Sequence, residues 1–315
     1  MKKIILKLLG WLILFSLGGY ALLLSNNCTF YGDYLIRQKV KYYYQHENEY
    51  NALILGSSRM YRQVNPGLLD SATHHTIKAY NLATGGTFFT ESRYVFRHLK
   101  LNKNIKYLLF EIQDLQPFEG NSYTEKIMYY HDLPTVAFEC KYYKKNKDIS
   151  SSFLPISHYI ANILYFKKLA QRDKPVNEFA NYNNGYYPLE KDYDKIITVK
   201  ELRDRFVKDS TGIVSKSAEL QKVNPTIIKD LKNLALNCQK QKIQLILICP
   251  PFGTPSDLSE IRAIRNTKVI DFTSREKFKE FYTFRNAYDH GHLNQKGALL
   301  FSNKLADSLN LYLKK

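Results

Sequence analysis

The sequence is poor in cysteine, methionine and tryptophan: its 315 residues include four cysteines, three methionines and one tryptophan. No two cysteines form a Cys-x-x-Cys pair, which argues against a structural zinc site or a thioredoxin-like redox site. Cys238 lies on an apolar helical stripe and Cys249 ends an apolar strand, so we expect both to be buried thiols. Cys28 and Cys140 can pair only if the domain lies outside the cytoplasm, and the sequence leaves this open.

Acidic residues are also scarce. The chain has 29 Asp and Glu against 46 Lys and Arg, a formal net charge of +17. A basic protein favours polyanionic surroundings, such as nucleic acid, anionic lipid head groups or acidic glycans. Nucleic acid ranks last, because no zinc-finger spacing and no aromatic RNA-binding motif is present. A phosphate-binding Gly-Lys-Ser/Thr loop is missing too. The excess lysine has an alternative role in solubility.

Long apolar runs are limited to one, at residues 8–24, which carry no charge. With the apolar residues before Lys7, this run approaches the roughly 20 residues that a membrane span needs. Lys2, Lys3 and Lys7 precede it, which predicts a cytoplasmic N-terminus and a domain facing the periplasm or cell exterior. A cleaved signal peptide is the rival interpretation. We favour an uncleaved single-pass anchor in the inner membrane, because no clean small-x-small cleavage site follows the run.

The rest of the chain alternates strands and helices on either side of an irregular segment. The five predicted strands are 52–55, 78–82, 105–112, 244–249 and 268–272. This alternation predicts a parallel α/β sheet, and we expect a flavodoxin-like three-layer sandwich. Residues 118–223 break the pattern and are rich in Tyr, Asn and Lys; we interpret them as an inserted helical cap, with a separate second domain as the alternative. The predicted organisation is a membrane anchor (1–28), a linker helix (29–50), an α/β domain (51–117 and 224–315) and the cap (118–223).

Two distant stretches carry the residues of a nucleophilic site. Ser57 and Ser58 follow Gly56 directly after the first predicted strand, at the sheet edge where ligands bind in open α/β folds. Asp289 and His292 lie three residues apart in a glycine-containing turn before the last helix. A serine becomes a good nucleophile when a histidine takes its proton, and a carboxylate orients that histidine. The two serines have an alternative role as helix caps, but the Asp-x-x-His turn favours catalysis.

These residues resemble the conserved blocks of the SGNH (GDSL-like) hydrolase superfamily. Its first block is a serine after a strand, and the resemblance places the nucleophile at Ser58. Its second block is a glycine after the next strand, which Gly85 or Gly86 matches as an oxyanion donor. Its last block is Asp-x-x-His, which corresponds to Asp289 as the orienting carboxylate and His292 as the base.

The third block departs from the superfamily pattern. SGNH enzymes have an asparagine there, in Gly-x-Asn-Asp, whereas this chain has Glu111-Ile112-Gln113-Asp114. Gln113 is the candidate replacement for the amide donor, unless that donor is absent. The resemblance is closest to a membrane-anchored branch that includes the DltD-type D-alanine transfer protein and alginate O-acetylation proteins. It covers residues 50–115 and 225–312 and leaves out the cap.

Other residues near these motifs have weaker assignments. Arg59, beside the proposed nucleophile, is a candidate for binding an anionic substrate group or for a structural ion pair. His290 and His292 form a His-x-His pair, but no third ligand is evident, so we predict no metal. His131 has no partner in its sequence neighbourhood and is expected to be an ordinary surface residue.

The function expected from these features is that of a membrane-anchored serine esterase or O-acyltransferase. The resemblance implies an acyl-serine intermediate, a cell-envelope polysaccharide as acceptor and a membrane-bound acyltransferase as partner, with no cofactor and no nucleic acid. The alternative is a non-catalytic envelope scaffold or polysaccharide-binding protein with a degenerate SGNH site.

Overall fold

The computed structural model describes residues 2–23, 29–112, 115, 125–146, 148, 150–170, 183–189, 198–214 and 220–313. The strands in these residues are β1 (Ala52–Leu55), β2 (Ala79–Asn81), β3 (Tyr107–Glu111), β4 (Gln221–Lys222), β5 (Gln244–Cys249), β6 (Ser256–Asp257) and β7 (Thr267–Asp271). Five of them form one parallel sheet in the order β2-β1-β3-β5-β7. The predicted five-stranded parallel sheet is therefore confirmed, with strand ends shifted by at most two residues. The short strands β4 and β6 pair separately.

The helices flank this sheet. They are α1 (Lys2–Leu23), α2 (Tyr34–His46), α3 (Ser58–Tyr61), α4 (Pro66–Ala72), α5 (Phe89–His98), α6 (Glu125–Tyr129), α7 (Leu133–Lys145), α8 (Leu154–Leu164), α9 (Lys200–Val214), α10 (Pro225–Lys240), α11 (Ser259–Arg262) and α12 (Gln295–Leu313). Short 3-10 segments cover Glu47–Glu49, Ser151–Phe153, Phe166–Ala170, Asn183–Gly185 and Lys279–Tyr282.

Both faces of the sheet are buried, which explains why its strands read as continuous apolar runs. In β1, Leu53 and Leu55 pack with Leu108 of β3 in one core cluster. The intervening residue Ile54 packs in a second cluster on the opposite face, together with Leu109. Because successive side chains of a strand point to opposite faces, the whole of β1 is enclosed by protein.

Local signals set the helix boundaries. Asn224 caps α10 by accepting the Thr226 N–H at 2.8 Å, and Pro225 occupies the first turn, where its missing N–H is not needed. Asp33 caps α2 in the same way, accepting two backbone N–H groups at 3.0 and 3.1 Å. These caps fix the directions in which the connecting segments approach the sheet.

The N-terminal helix α1 differs from all of these because little of it touches protein. Its segment Lys2–Ala21 is 20 residues long, and only 6% of that segment is buried. Trp11, for example, is 59% exposed. Among the described residues this is the one helix long and apolar enough to cross a membrane. Its place near the N-terminus is also compatible with a signal sequence.

The described parts of the cap segment cover several sides of the sheet domain. Helices α6, α7 and α8 pack together, α7 also contacts α10, and α8 contacts α1. Residues 183–189 lie along β2, where the Tyr187 and Tyr61 rings stack with centroids 6.3 Å apart. In α9, Phe206 packs against Phe252 and Phe284, on loops that follow β5 and precede the Asp289 turn. The segment therefore reaches both the edge strand β2 and the loops at the carboxyl ends of the strands.

The cysteines fit the expected classes where they are described. Cys238 and Cys249 are buried, as predicted. Cys140 is a free thiol that donates to the Ser152 carbonyl at 3.3 Å. Cys28 lies outside the described residues.

Candidate active site

The turn after β1 begins at a glycine with no space for a side chain. A Cβ on Gly56 would lie 2.6 Å from Met60 Cγ and 2.7 Å from Glu111 Cβ. The chain leaves the sheet here, and Ser57 becomes the N-cap of α3 by accepting the backbone N–H of the residue after Ser58 at 3.2 Å. Ser58 is the first residue of α3. The helix-cap and site interpretations are thus compatible, because they fall on different serines.

Ser58, His292 and Asp289 meet at this edge of the sheet, although Ser58 and His292 are 234 positions apart in the chain. Ser58 Oγ lies 2.7 Å from His292 Nε2. His292 Nδ1 lies 2.9 and 3.0 Å from the two carboxylate oxygens of Asp289. All three distances fall within the range over which a base accepts a proton and is itself oriented. The arrangement can therefore lower the barrier to deprotonating Ser58.

The loop that presents Asp289 and His292 is closed by its own backbone. Ala287 and Leu293 form an antiparallel bridge, and the Leu293 side chain is fully buried. The Asn294 amide donates to two carbonyls before the loop, at 2.8 and 3.3 Å. Its Oδ1 accepts a backbone N–H in the first turn of α12 at 3.0 Å. Leu293 and Asn294 in the Asp-x-x-His-Leu-Asn motif thus fix the loop that carries the two polar residues.

The electrostatics of the loop keep Asp289 ionised. Burial by itself raises the pKa of this carboxyl, but the hydrogen bond and charge of His292 oppose it. The Gly291 N–H, which donates at 2.7 Å, and the charge of His290 act in the same direction. The net result is a pKa below the ordinary value of 3.8. An ionised Asp289 favours the tautomer of His292 with its proton on Nδ1, which leaves Nε2 to accept from Ser58.

A buried carboxylate behind the serine turn was missed by the sequence analysis. Glu111 ends β3, next to β1 in the sheet, and is 5% exposed. Its Oε2 accepts the Ser57 N–H at 2.5 Å, and its Oε1 accepts the Ser57 hydroxyl at 3.0 Å. The signal that could have revealed it is an acid at the end of an apolar strand. Glu111 holds Ser57 in place, and Ser58 is thereby directed toward the histidine.

Arg59 connects the serine helix to the histidine loop. Its Nε donates to the Gly291 carbonyl at 3.2 Å, across the site from α3 to the Asp289 loop. This contact positions the two halves of the site against each other. Binding of an anionic substrate group by Arg59 stays a prediction.

The two predicted oxyanion glycines lie on the neighbouring strand end. Hydrogen bonding between the β1 and β2 chains continues beyond the two strands, because the Thr84 N–H donates to the Gly56 carbonyl at 3.2 Å. Gly85 and Gly86 come directly after Thr84 and are exposed. Within the described part of the chain, neither glycine forms a hydrogen bond with Ser58. Their role as oxyanion donors therefore stays a prediction. Gln113, the other predicted donor, lies outside the described residues.

Two lysines support the segment that carries these glycines. Lys39 of α2 is fully buried and donates to the Ala83 carbonyl at 2.5 Å, with its Nζ 3.9 Å from the centre of the Tyr61 ring. Burial lowers the pKa of Lys39 well below its usual value. Lys126 of α6 donates to the Gly85 carbonyl at 2.6 Å. The linker helix and the cap thus both contact the loop beside Ser58, which the sequence pattern did not indicate.

The site is accessible to solvent. The side chains of His292 and Asp289 are 28% and 18% exposed, so a substrate or a water molecule can approach Ser58. Among the described residues, no group of three His, Cys, Asp or Glu side chains is placed to hold a metal ion. The contacts among Ser58, His292 and Asp289 are those that acid–base and nucleophilic chemistry by side chains requires.

Comparison with known proteins adds no family assignment to this geometry. No protein-family model matches the chain. No curated protein matches it at a significant level either.

Proposed function

We propose that this protein is an SGNH-type serine esterase or O-acyltransferase with Ser58 as nucleophile, His292 as general base and Asp289 as the orienting carboxylate. The observation that carries the proposal is the continuous contact from Ser58 Oγ through both ring nitrogens of His292 to Asp289, at 2.7, 2.9 and 3.0 Å. A serine merely capping a helix needs no such contact.

The proposed reaction proceeds through an acyl-serine. Ser58 Oγ attacks the carbonyl carbon of an acyl donor while His292 Nε2 takes the hydroxyl proton. His292 returns this proton to the leaving oxygen as the donor's acyl bond breaks. Water or an acceptor hydroxyl then attacks the acyl-serine, giving its proton to His292, and that proton returns to Ser58 as the ester bond breaks. The first acceptor gives hydrolysis and the second gives transfer.

The negative charge on the tetrahedral oxygen needs donors, each worth about 3 kcal/mol. The N–H groups of Ser58 and of Gly85 or Gly86 are the proposed donors, with Gln113 as the candidate for the third block. This chain departs from the superfamily pattern at the third block, where Glu111-Ile112-Gln113-Asp114 stands in place of Gly-x-Asn-Asp. Glu111, at the glycine position, is buried at the end of β3. If Gln113 does not supply the third-block donor, the site stabilises the tetrahedral oxygen less, which fits a slow hydrolase that needs its partner and acceptor bound.

The proposed fold is flavodoxin-like. The strand order β2-β1-β3-β5-β7 is the order 2-1-3-4-5 once the separate β4–β6 pair is set aside. The proposed triad lies at the carboxyl ends of the strands, beside β1, which is the strand between β2 and β3. Ligands of open α/β sheets bind at that position.

The proposed location is the inner membrane, with the α/β domain outside the cytoplasm. Supporting features are the apolar helix α1, the lysines at its start and a net charge of +17, which suits anionic head groups or acidic glycans. The acceptor proposed on this basis is a cell-envelope polysaccharide. A membrane-bound acyltransferase is the proposed source of the acyl group, so this domain does not need to supply that group itself.

The test is covalent labelling by a fluorophosphonate probe of the full-length protein in membranes. We expect the wild type to be labelled at Ser58, and Ser58→Ala to lose the label without loss of stability. His292→Ala should suppress labelling because the serine then has no base. Ser57→Ala is the matched control, and should retain labelling because the Ser57 hydroxyl points to Glu111.

Equal labelling of the wild type and Ser58→Ala would show that another residue reacts with the probe. An intact, folded wild type that neither takes up the label nor acylates an envelope glycan would favour the non-catalytic scaffold. The specific observation behind that second function is the missing third-block asparagine, since the sequence there is Glu111-Ile112-Gln113-Asp114.

A further inference from the structure

Helix α8 and its two flanking 3-10 turns present an apolar surface to the outside. The segment from Ser151 to Ala170 contains no Asp or Glu, and its only Lys or Arg residues are Lys167 and Lys168. The exposed apolar side chains are Phe153, Leu154, Ile156, Ile160, Leu164, Phe166 and Leu169. Their exposed fractions run from 42% to 67%. We call this set the α8 surface; soluble domains seldom leave so many large apolar groups together in water.

The opposite side of α8 is held by the protein. Asn162 is fully buried, and its amide donates to the Tyr129 and His131 carbonyls at 3.4 and 3.2 Å. Its Oδ1 accepts the Tyr31 hydroxyl at 2.7 Å. Ile163 is buried beside it. The orientation of α8 is therefore set by internal contacts, and the apolar side is the one left outward.

The same helix contacts α1 near its C-terminal end. A Cβ on Gly19 would clash with the Ile163 side chain and lie 3.0 Å from the Ile163 carbonyl oxygen. Gly19 is buried, whereas nearly all other described side chains of α1 are exposed. A small residue at a helix crossing allows this close approach, as in helix pairs within membranes.

The position of that contact along α1 determines how deep α8 lies relative to the bilayer if α1 spans it. The charge-free part of α1, residues 8–23, is about 24 Å long at 1.5 Å per residue, so every residue of it is needed to cross a hydrocarbon layer of about 30 Å. Gly19 lies four residues before the end of the helix at Leu23, about 6 Å along its axis. If α1 spans the bilayer, Ile163 is at the level of the outer boundary between hydrocarbon and head groups.

We propose that the α8 surface lies in the lipid bilayer, as an interfacial segment beside α1 that fixes the α/β domain to the membrane at a second point. Its apolar face continues the apolar surface of α1, and the two meet at Gly19. Aromatic residues and the exposed Lys167 flank the apolar positions, as expected at a membrane interface.

The lysines near this surface fit anionic head groups. Lys141, Lys144 and Lys145 on α7 are exposed. The α7 helix packs against the turn that carries Phe153, through the hydrogen bond from the Cys140 thiol to the Ser152 carbonyl. Positive charge therefore stands next to one end of the α8 surface. Basic residues in this position attract anionic lipid.

The inference does not depend on the chemistry of Ser58, but it does require that α1 lies in the bilayer. The only tryptophan, Trp11, is in α1 and is 59% exposed, so its fluorescence reports on the anchor. A second reporter is introduced as Ile160→Trp in a Trp11→Phe background. Leu236→Trp in the same background is the control, since Leu236 lies on α10 and is 54% exposed against 50% for Ile160.

The full-length proteins are reconstituted in vesicles of phosphatidylcholine and phosphatidylglycerol that contain lipids brominated near the head groups. We expect the Ile160→Trp emission to shift to the blue and to be quenched by the brominated lipid, with little quenching by aqueous iodide. The Leu236→Trp emission should show the reverse pattern. Circular dichroism melting confirms that both variants are folded.

Three results would overturn the proposal. If the brominated lipid does not quench Trp11 in the wild type, α1 does not lie in the bilayer, and the proposed contact of the α8 surface with lipid is rejected as well. If the brominated lipid quenches Trp11 but aqueous iodide quenches Ile160→Trp, α1 lies in the bilayer and the α8 surface does not. That result would reject the second contact with the membrane. If Ile160→Cys reacts with an impermeant maleimide in lipid vesicles but is protected in cell membranes, the α8 surface is covered by a protein partner and not by lipid.

Discussion

A histidine paired with a carboxylate occurs both in the active-site loop and in the cap, and the two pairs differ in what the second ring nitrogen meets. His292 Nδ1 faces Asp289, and its Nε2 faces the Ser58 hydroxyl, which can give up a proton. His131 Nε2 faces Glu139 at 3.1 Å, and its Nδ1 faces the Ile127 carbonyl at 2.6 Å. Because a carboxylate and a carbonyl both accept hydrogen bonds, neither of these two described partners offers His131 a proton to take.

Exposure separates the two pairs as clearly as their partners do. The side chains of His131 and Glu139 are 1% and 3% exposed, whereas His292 is 28% exposed. The cap pair is enclosed among packed helices, and its hydrogen bonds satisfy groups that burial would otherwise leave unpaired. The expectation that His131 is an ordinary surface residue was wrong. A pairing of histidine and carboxylate therefore indicates catalysis only with an accessible hydroxyl beside it.

The largest expected effect comes from changing the carboxylate under each histidine to an amide. Asp289→Asn should lower the fluorophosphonate labelling rate of Ser58 about 10³- to 10⁴-fold, since His292 loses the acceptor that sets its tautomer. Glu139→Gln is the same chemical change under His131 and should leave the rate within about twofold, on the reasoning that remote sites act independently. A comparable loss in both variants would mean that the cap pair takes part in the reaction.

The next largest effect is on the free energy of unfolding, and we expect it at His131, the histidine of the cap pair. His131→Ala leaves the Glu139 carboxylate buried without its partner and opens a cavity, which should lower the free energy of unfolding by about 3 kcal/mol. His292→Ala, in a partly exposed pair, should lower it by less than about 1 kcal/mol. Denaturant unfolding of the full-length protein in detergent measures both. If His292→Ala were the more destabilising change, the two pairs would have the opposite roles.

A smaller effect is expected at Glu111, which accepts two hydrogen bonds from Ser57, the residue before Ser58. Glu111→Ala removes the acceptor for the Ser57 N–H, and the resulting displacement of the serine turn should slow labelling about 10- to 100-fold. Glu111→Gln keeps one carbonyl acceptor and should cost less than about tenfold. Equal losses in the two variants would point to the charge of Glu111 and away from its hydrogen bonds.

The smallest expected effect is a dependence of stability on pH at Asp289. Its pKa is lower in the folded protein than the ordinary 3.8, so the ionised form favours folding. The stability difference between the wild type and Asp289→Asn should be fully present well above pH 3.8 and should disappear as the pH falls through the lowered pKa. Unfolding curves across this range measure it, and a difference that grew on acidification would contradict the assigned sign.

Much of the sheet and the meeting of the triad followed from local sequence features. An apolar run bounded by turn residues is sufficient to find β1 and β5, whose predicted and observed limits agree. Helix α11 is shorter than the strand–helix alternation predicts: that pattern predicts a helix over 257–265, between the fourth and fifth predicted strands, but only Ser259–Arg262 are helical. Asp257 is in β6, and its carboxylate accepts the Ser259 N–H at 3.0 Å, which delays the start of the helix.

Contacts made between distant segments were not predictable in the same way. Glu111 lies 54 positions from Ser57, and the sequence contains no spacing that joins them. Lys39 is 44 positions from the Ala83 carbonyl that it binds. A lone charged residue on a helix or strand end usually lies in water, so its burial against a specific partner becomes visible only when the elements are packed. These are the residues that hold the site in place.

The segment 183–189 along β2 has a consequence for self-association. An edge strand with free backbone groups is a template on which a second molecule can add its own strand, which leads to domain swapping or aggregation. Here Gly185 lies against the Asn81 carbonyl at the end of β2, and the Tyr187 N–H donates to the Tyr61 carbonyl at 3.5 Å. The chain thus covers part of its own sheet margin, which hinders a second copy from adding a strand to β2 on the side next to Ser58.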